Sequence, residues 1–242
     1  MTAKRKNPGM DRISTGIQEL DSLICGGYPL NKAVLVTGGP GVGKTILAMQ
    51  FVNSICSTGR KCLYLATEEA PEDLEAQAEM LGIPLHGYTE DGLLEIIPAL
   101  AQRMDDVHWQ RNRNSPAHLF NKPLAAIKNA DSEFLIFDNI GSYTFETTIG
   151  SFREQMDYLV NAIGKKGMTA MLVSDETMDE RYSNAVHYSV YGVIHLFKRE
   201  NPFTGNVERL MNVVKMRGTE TPLGYVRSTI AGTGIKIQPP AK

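Results

Sequence analysis

Gly38-Gly39-Pro40-Gly41-Val42-Gly43-Lys44-Thr45 matches the pattern G-x-x-x-x-G-K-[ST] at every fixed position. The run before it, Ala33-Val34-Leu35-Val36, reads as a short buried parallel strand. The run after it, Ile46-Leu47-Ala48-Met49-Gln50-Phe51-Val52, suits a helix. Strand, glycine loop and helix in that order make a seat for an anion. The glycines let the backbone bend so that successive N–H groups point inward, and the helix N-terminus adds partial positive charge. Lys44 can then reach β- and γ-phosphates, and the Thr45 hydroxyl can ligate Mg²⁺. The alternative, a glycine-rich turn with a chance lysine, needs the whole pattern and both flanks to be coincidental. The residues expected to touch a nucleotide are Gly39, Pro40, Gly41, Val42, Gly43, Lys44, Thr45 and Ile46.

The 242 residues suffice for one α/β domain with a sizeable core, expected over 11–242 behind a disordered tail at 1–10. The 25 basic and 27 acidic side chains nearly cancel, which argues against a large basic field for nucleic acid or an acidic membrane. Lys4-Arg5-Lys6 is too small a cluster to change that. No apolar run is long enough to span a bilayer and no signal-peptide core follows the basic start, so a cytoplasmic protein is expected. Cys25, Cys56 and Cys62 are an odd number in apolar or loop contexts, and read as reduced packing residues.

Further along, Lys61–Thr67 reads as a second strand, with Glu68-Glu69 at its tip. Pro71-Glu72-Asp73-Leu74 opens a helix, with proline and acids in its first turn. Leu93–Ile97 is a short strand, 98–123 an irregular insertion, and Leu124–Ala130 helical. Phe134-Leu135-Ile136-Phe137-Asp138 is an apolar strand closed by a carboxylate, 151–166 an amphipathic helix, and Met168–Val173 another buried strand. From about Val190 the pattern changes to Tyr191–Lys198, Val207–Met216, Tyr225–Ile230 and Ile235–Gln238, strands with little helix between them. The fold class is therefore α/β, a mostly parallel central sheet flanked by helices with a C-terminal antiparallel meander.

Open α/β sheets bind ligands beyond the carboxyl ends of their strands. The glycine loop, Glu68-Glu69, Asp138 and Ser174-Asp175-Glu176 all fall at that edge. Asp138 fits the acid that holds Mg²⁺ opposite Thr45. Glu68 and Glu69 are candidates for orienting an attacking water, and their alternation along an extended chain lets at most one face the phosphate. The competing reading is that both decorate the N-terminus of the helix at Pro71. Ser174 is a weaker candidate for sensing phosphate. Trp109 with its neighbouring His108, Arg111 and Arg113 fits a variable surface loop better than a base-stacking site.

Thr15-Gly16-Ile17, Leu20-Asp21 and Gly26-Gly27, followed by the glycine loop, Thr67-Glu68-Glu69 and Asp138, resemble the RecA superfamily, most closely its KaiC-like branch. Lys215-Met216-Arg217-Gly218-Thr219 is similar to that branch's K-x-R-G-T segment, so the resemblance runs from about Arg12 to Pro239. It implies a RecA-like P-loop NTPase that binds ATP with Mg²⁺ and assembles into rings, usually hexamers, with ATP between subunits. By the same resemblance Glu68 first and Glu69 second act on the hydrolytic water, and Lys215 and Arg217 touch the neighbour's γ-phosphate. A cation supplied in this way is worth ~10³–10⁵ in rate for related NTPases. Lys215 and Arg217 alternate around Met216 and so share one strand face. Two departures stand out. Asn31 occupies a place where relatives have glycine, a change that asparagine's tolerance of positive φ allows. His187-Tyr188-Ser189-Val190 lacks the adjacent Ser-Thr phosphorylation pair of two-module clock members, so autokinase activity of that type is not expected.

The function expected is a slow Mg-dependent ATPase that forms nucleotide-bridged rings, with a regulatory or signalling role and a protein partner. The second reading is a non-hydrolysing ATP-sensing scaffold. The third, a DNA-dependent ATPase of the RecA type, is disfavoured by the absence of a separate DNA-binding domain and of a basic patch.

Overall fold

A computed structural model describes residues 10–99, 120–144, 147–176 and 178–238. Its strands are β1 (Arg12–Ile13), β2 (Tyr28–Pro29), β3 (Ala33–Gly38), β4 (Cys62–Ala66), β5 (Leu94–Pro98), β6 (Phe134–Asp138), β7 (Thr169–Asp175), β8 (Gly192–Glu200), β9 (Val207–Met216), β10 (Val226–Ala231) and β11 (Gly234–Gln238). Its helices are α1 (Gln18–Leu23), α2 (Lys44–Cys56), α3 (Pro71–Met80), α4 (Leu85–Glu90), α5 (Asn121–Asn129), α6 (Ile149–Lys166) and α7 (Glu180–Ser189), with a 3-10 turn at Ile140–Tyr143. Nine strands form one sheet in the order β11-β10-β9-β8-β3-β7-β6-β4-β5. Neighbours from β8 to β5 are parallel, and those from β8 to β11 are antiparallel.

Both faces of the parallel part are covered, which is why its strands are continuous apolar runs. Side-chain alternation divides each strand between two cores: Val34 and Val36 of β3 pack with α2, while Ala33 and Leu35 pack with α6. Lys61 and Thr67, expected in the second strand, lie just outside β4, and the insertion's Trp109 lies outside the described residues. Helix α5 starts at Asn121, so the end of the stretch expected to be irregular is helical. Cys56 and Cys62 are buried free thiols, and Cys25 is a half-buried one.

The N-terminal glycines have steric reasons. A Cβ at Gly27 (φ 114°) would lie 2.0 Å from the Ile13 carbonyl oxygen, where β1 pairs with β2. Asp21 accepts from Thr15 N and Thr15 Oγ1, both at 2.7 Å, and this ties the Thr15 turn to α1. Asn31 adopts φ 59°, the left-handed conformation that glycine would otherwise supply. At the other end of the chain, Gln50 of α2 holds β11: its Oε1 accepts from Ile235 N at 2.8 Å and its Nε2 donates to Ile235 O at 3.3 Å. No helix among the described residues is long and apolar enough to cross a membrane.

Candidate functional site

Parallel register levels the strand ends. Gly38 lies beside Asp175, Ala66 beside Asp138, and Asp138 beside Val173. Segments distant in sequence therefore deliver the glycine loop, Glu68, Asp138 and Asp175 to one sheet edge. The loop itself leaves β3 at Gly38, where a Cβ would sit 2.1 Å from the Leu196 carbonyl oxygen of β8. It enters α2 through Gly43 at φ 110°, and no side chain caps that helix. Helix α6, by contrast, has Thr148 accepting from Ser151 N. The first amides of α2 thus remain for an anion.

Lys44 Nζ donates to the carbonyls of Gly38 (2.9 Å) and Gly39 (3.0 Å) and to Asp175 Oδ1 (2.5 Å). Thr45 Oγ1 donates to Asp138 Oδ2 at 3.0 Å, and Tyr64 Oη donates to the same oxygen at 2.9 Å. Burial pushes the Tyr64 phenol well above its ordinary value, with Asp138 adding to the shift, so it stays a donor. Burial also pushes the Asp138 carboxyl up to about 6. The hydrogen bonds from Tyr64 and Thr45 pull it down, and the charges of Glu68 and Glu69 push it up. A carboxylate that is costly to ionise, beside a threonine hydroxyl, is an oxygen donor pair suited to a hard cation. Thr45 and Asp138 are the residues that would hold Mg²⁺.

The two glutamates diverge. Glu68 Oε1 accepts from Asn139 Nδ2 at 3.0 Å and from Ser142 Oγ at 3.4 Å. Glu69 is turned to Gln77 of α3, which donates to it. Asn139 Nδ2 also donates to Asp175 Oδ2 at 2.5 Å, so a continuous chain runs Glu68–Asn139–Asp175–Lys44. Asn139 itself is anchored by Thr67, whose hydroxyl donates to its carbonyl at 2.9 Å and accepts from its amide at 2.5 Å. Ser174 is buried in β7, and its neighbour Asp175 is the residue that reaches Lys44. Asn139 and Tyr64 carry no motif of their own; only their adjacency to Asp138, one along the chain and one across the strand pair, could have pointed to them.

Lys215 and Arg217 lie at the opposite edge. Met216 pairs with Gly192 and Gly192 with Val34, at the start of β3, whereas the loop begins at its end. Arg217 falls just past β9. Both side chains reach the C-terminal turn of α7: Lys215 Nζ donates to the carbonyls of His187 and, at 3.0 Å, Val190, and Arg217 Nη2 donates to that of Tyr188 at 2.9 Å. Gly218 then turns at φ 63°, and Thr219 Oγ1 accepts from Arg12 at 2.5 Å, joining this segment to the N-terminal strand.

This topology, with its loop and its strand-end acids, is that of a RecA-like P-loop domain. The chain belongs to the KaiC ATPase family, whose model, "ATPase: KaiC", matches residues 13–242. It is 28% identical to a UPF0273 protein of Methanopyrus kandleri over 95% of this chain and 93% of that one. It is 26% identical to the circadian clock oscillator protein KaiC of Parathermosynechococcus lividus, over 94% of this chain but 40% of the clock protein. The crystal structure of a KaiC-like protein from Pyrococcus horikoshii OT3 shares the fold, with a TM-score of 0.78 over 96% of this chain and 100% of that chain, at 24% identity.

Proposed function

We propose that this chain is a slow, Mg-dependent ATPase that forms rings with ATP between subunits and serves a regulatory role. The observation that carries the reading is the strand-end constellation. Lys44 and the uncapped start of α2 share one sheet edge with the Thr45–Asp138 pair and with Glu68, which a hydrogen-bonded chain through Asn139 and Asp175 links to Lys44. When bound, Mg²⁺ would neutralise charge on the phosphates. The backbone amides of Gly39–Thr45 and Lys44 would bind the phosphates, and Ile46 would continue the seat along α2. Glu68 would orient the water; Asn139 and Ser142 fix it in a way that Glu69, held by α3, does not share. Lys215 and Arg217 sit too far from their own loop to serve it, which supports a role toward a neighbouring subunit's nucleotide. The test is phosphate release from Mg-ATP by the purified protein. Lys44→Ala and Glu68→Gln are each expected to reduce it at least ~100-fold; unchanged release in both rejects the site.

A further inference from the structure

Lys44 presents three hydrogens, and all three are already engaged, by Gly38 O, Gly39 O and Asp175 Oδ1. The two carbonyls belong to the loop that any phosphate would enter. Asp175 is the only one of the three partners that is a side chain, and the only one with a charge. A carboxylate at this point offers Lys44 what a phosphate offers: negative charge and acceptor oxygens. Lys44 is 11% exposed and Asp175 26%, so water screens the pair incompletely. Asp175 is held in turn by Asn139, the same amide that reaches Glu68.

We propose that Asp175 is a built-in competitor for Lys44, which the terminal phosphate of an incoming nucleotide must displace. The idea rests on the reading of the loop as an ATP site. Asn139 Nδ2 has two hydrogens, one for Asp175 Oδ2 and one for Glu68 Oε1, so the competitor and the water-orienting carboxylate share one anchor. Asp175 acts through Lys44 and Asn139; it is a positioning residue that sets affinity. Because the apparent dissociation constant is the intrinsic one divided by the fraction of sites whose lysine is free, removing the competitor tightens binding.

The experiment is an equilibrium titration with a fluorescent ATP analogue, with and without Mg²⁺, on wild type, Asp175→Asn and Asp175→Ser. Asp175→Ser serves as the deciding variant should Asp175→Asn fail to fold by circular dichroism. Glu176→Gln is the control for general charge. Its carboxylate also lies over the loop, 3.3 Å from where a Gly39 Cβ would be, but its partner is His195 rather than Lys44. Tightening of about tenfold in the Asp175 variants, with little change in Glu176→Gln, is the result expected. Equal tightening in all variants, or affinity unchanged or weaker without Asp175, overturns the proposal while leaving the ATP site standing. A wild type that binds no nucleotide overturns both.

Discussion

Asp138 has to be charged to hold a cation yet sits where charge is disfavoured. With its carboxyl raised from 3.8 to about 6, the folded protein keeps a proton that the unfolded chain has already released. Between about pH 4 and 6 the native state therefore binds more protons, and this group's contribution to stability falls as pH rises. Metal-free Asp138→Asn is expected to escape that loss. In urea unfolding it should gain on the order of 2 kcal/mol relative to wild type between pH 4 and 6.5. A constant difference across that range would show that the site does not raise this carboxyl. Glu68 is set ahead of Glu69 by the family resemblance alone, whereas Lys44, Thr45 and Asp138 are legible in the sequence because each sits in a pattern whose chemistry depends on residue type. Tyr64 is not, since inside an apolar strand it looks like any core aromatic. Asn139 is not, since its role comes from side-chain geometry around Thr67, Glu68 and Asp175, which no spacing encodes.

At the scale of elements, legibility followed the strength of local signals. Helix α6 carries Lys165 and Lys166 in its last turn and Gly167 at φ 74° beyond it, and its C-terminal end is legible in the sequence; its start, expected at 151, lies at Ile149 behind the Thr148 N-cap. Helices α4 and α7 were not foreseen. The sequence of α4, LHGYTE, contains glycine and threonine, and the element is held by buried Leu85 and by Tyr88 Oη, which donates to Asn53 at 2.8 Å. Helix α7 holds two serines, one asparagine and two tyrosines among its ten residues, and its distal end is held by Lys215 and Arg217. Removing Lys215 leaves helix carbonyls without their cation, though burial and the neighbouring Arg217 already lower the lysine's hold on its proton. Lys215→Ala is expected to destabilise the nucleotide-free protein by about 1 kcal/mol in urea unfolding. No change would mean that these contacts add nothing to the folded chain, leaving Lys215 to act only toward a neighbour. The K-x-R-G-T segment thus has work to do within its own subunit, which the family resemblance alone did not suggest.

At the scale of the whole molecule, the parallel half of the sheet carries the loop and acids at one edge, while β9 carries Lys215 to the other. The change from parallel to antiparallel strands was legible because helical segments disappear from the sequence near Val190. The strand order was not, because alternation reports which face a residue takes and not which strand lies beside it. Under the proposed function, with the nucleotide at the loop edge and Lys215 and Arg217 at the other, assembly is expected to depend on the ligand. Light scattering should show the mass rising to that of a ring when Mg-ATP is added. Glu68→Gln should still assemble, and Lys215→Ala with Arg217→Ala should not; a mass indifferent to nucleotide would reject nucleotide-bridged assembly. The Gln50 amide that engages Ile235 also limits how copies can meet. An incoming strand would need a continuous row of open N–H and C=O groups along β11, and Gln50 interrupts that row at its second residue. Fibrillar growth by stacking at this end is thereby discouraged.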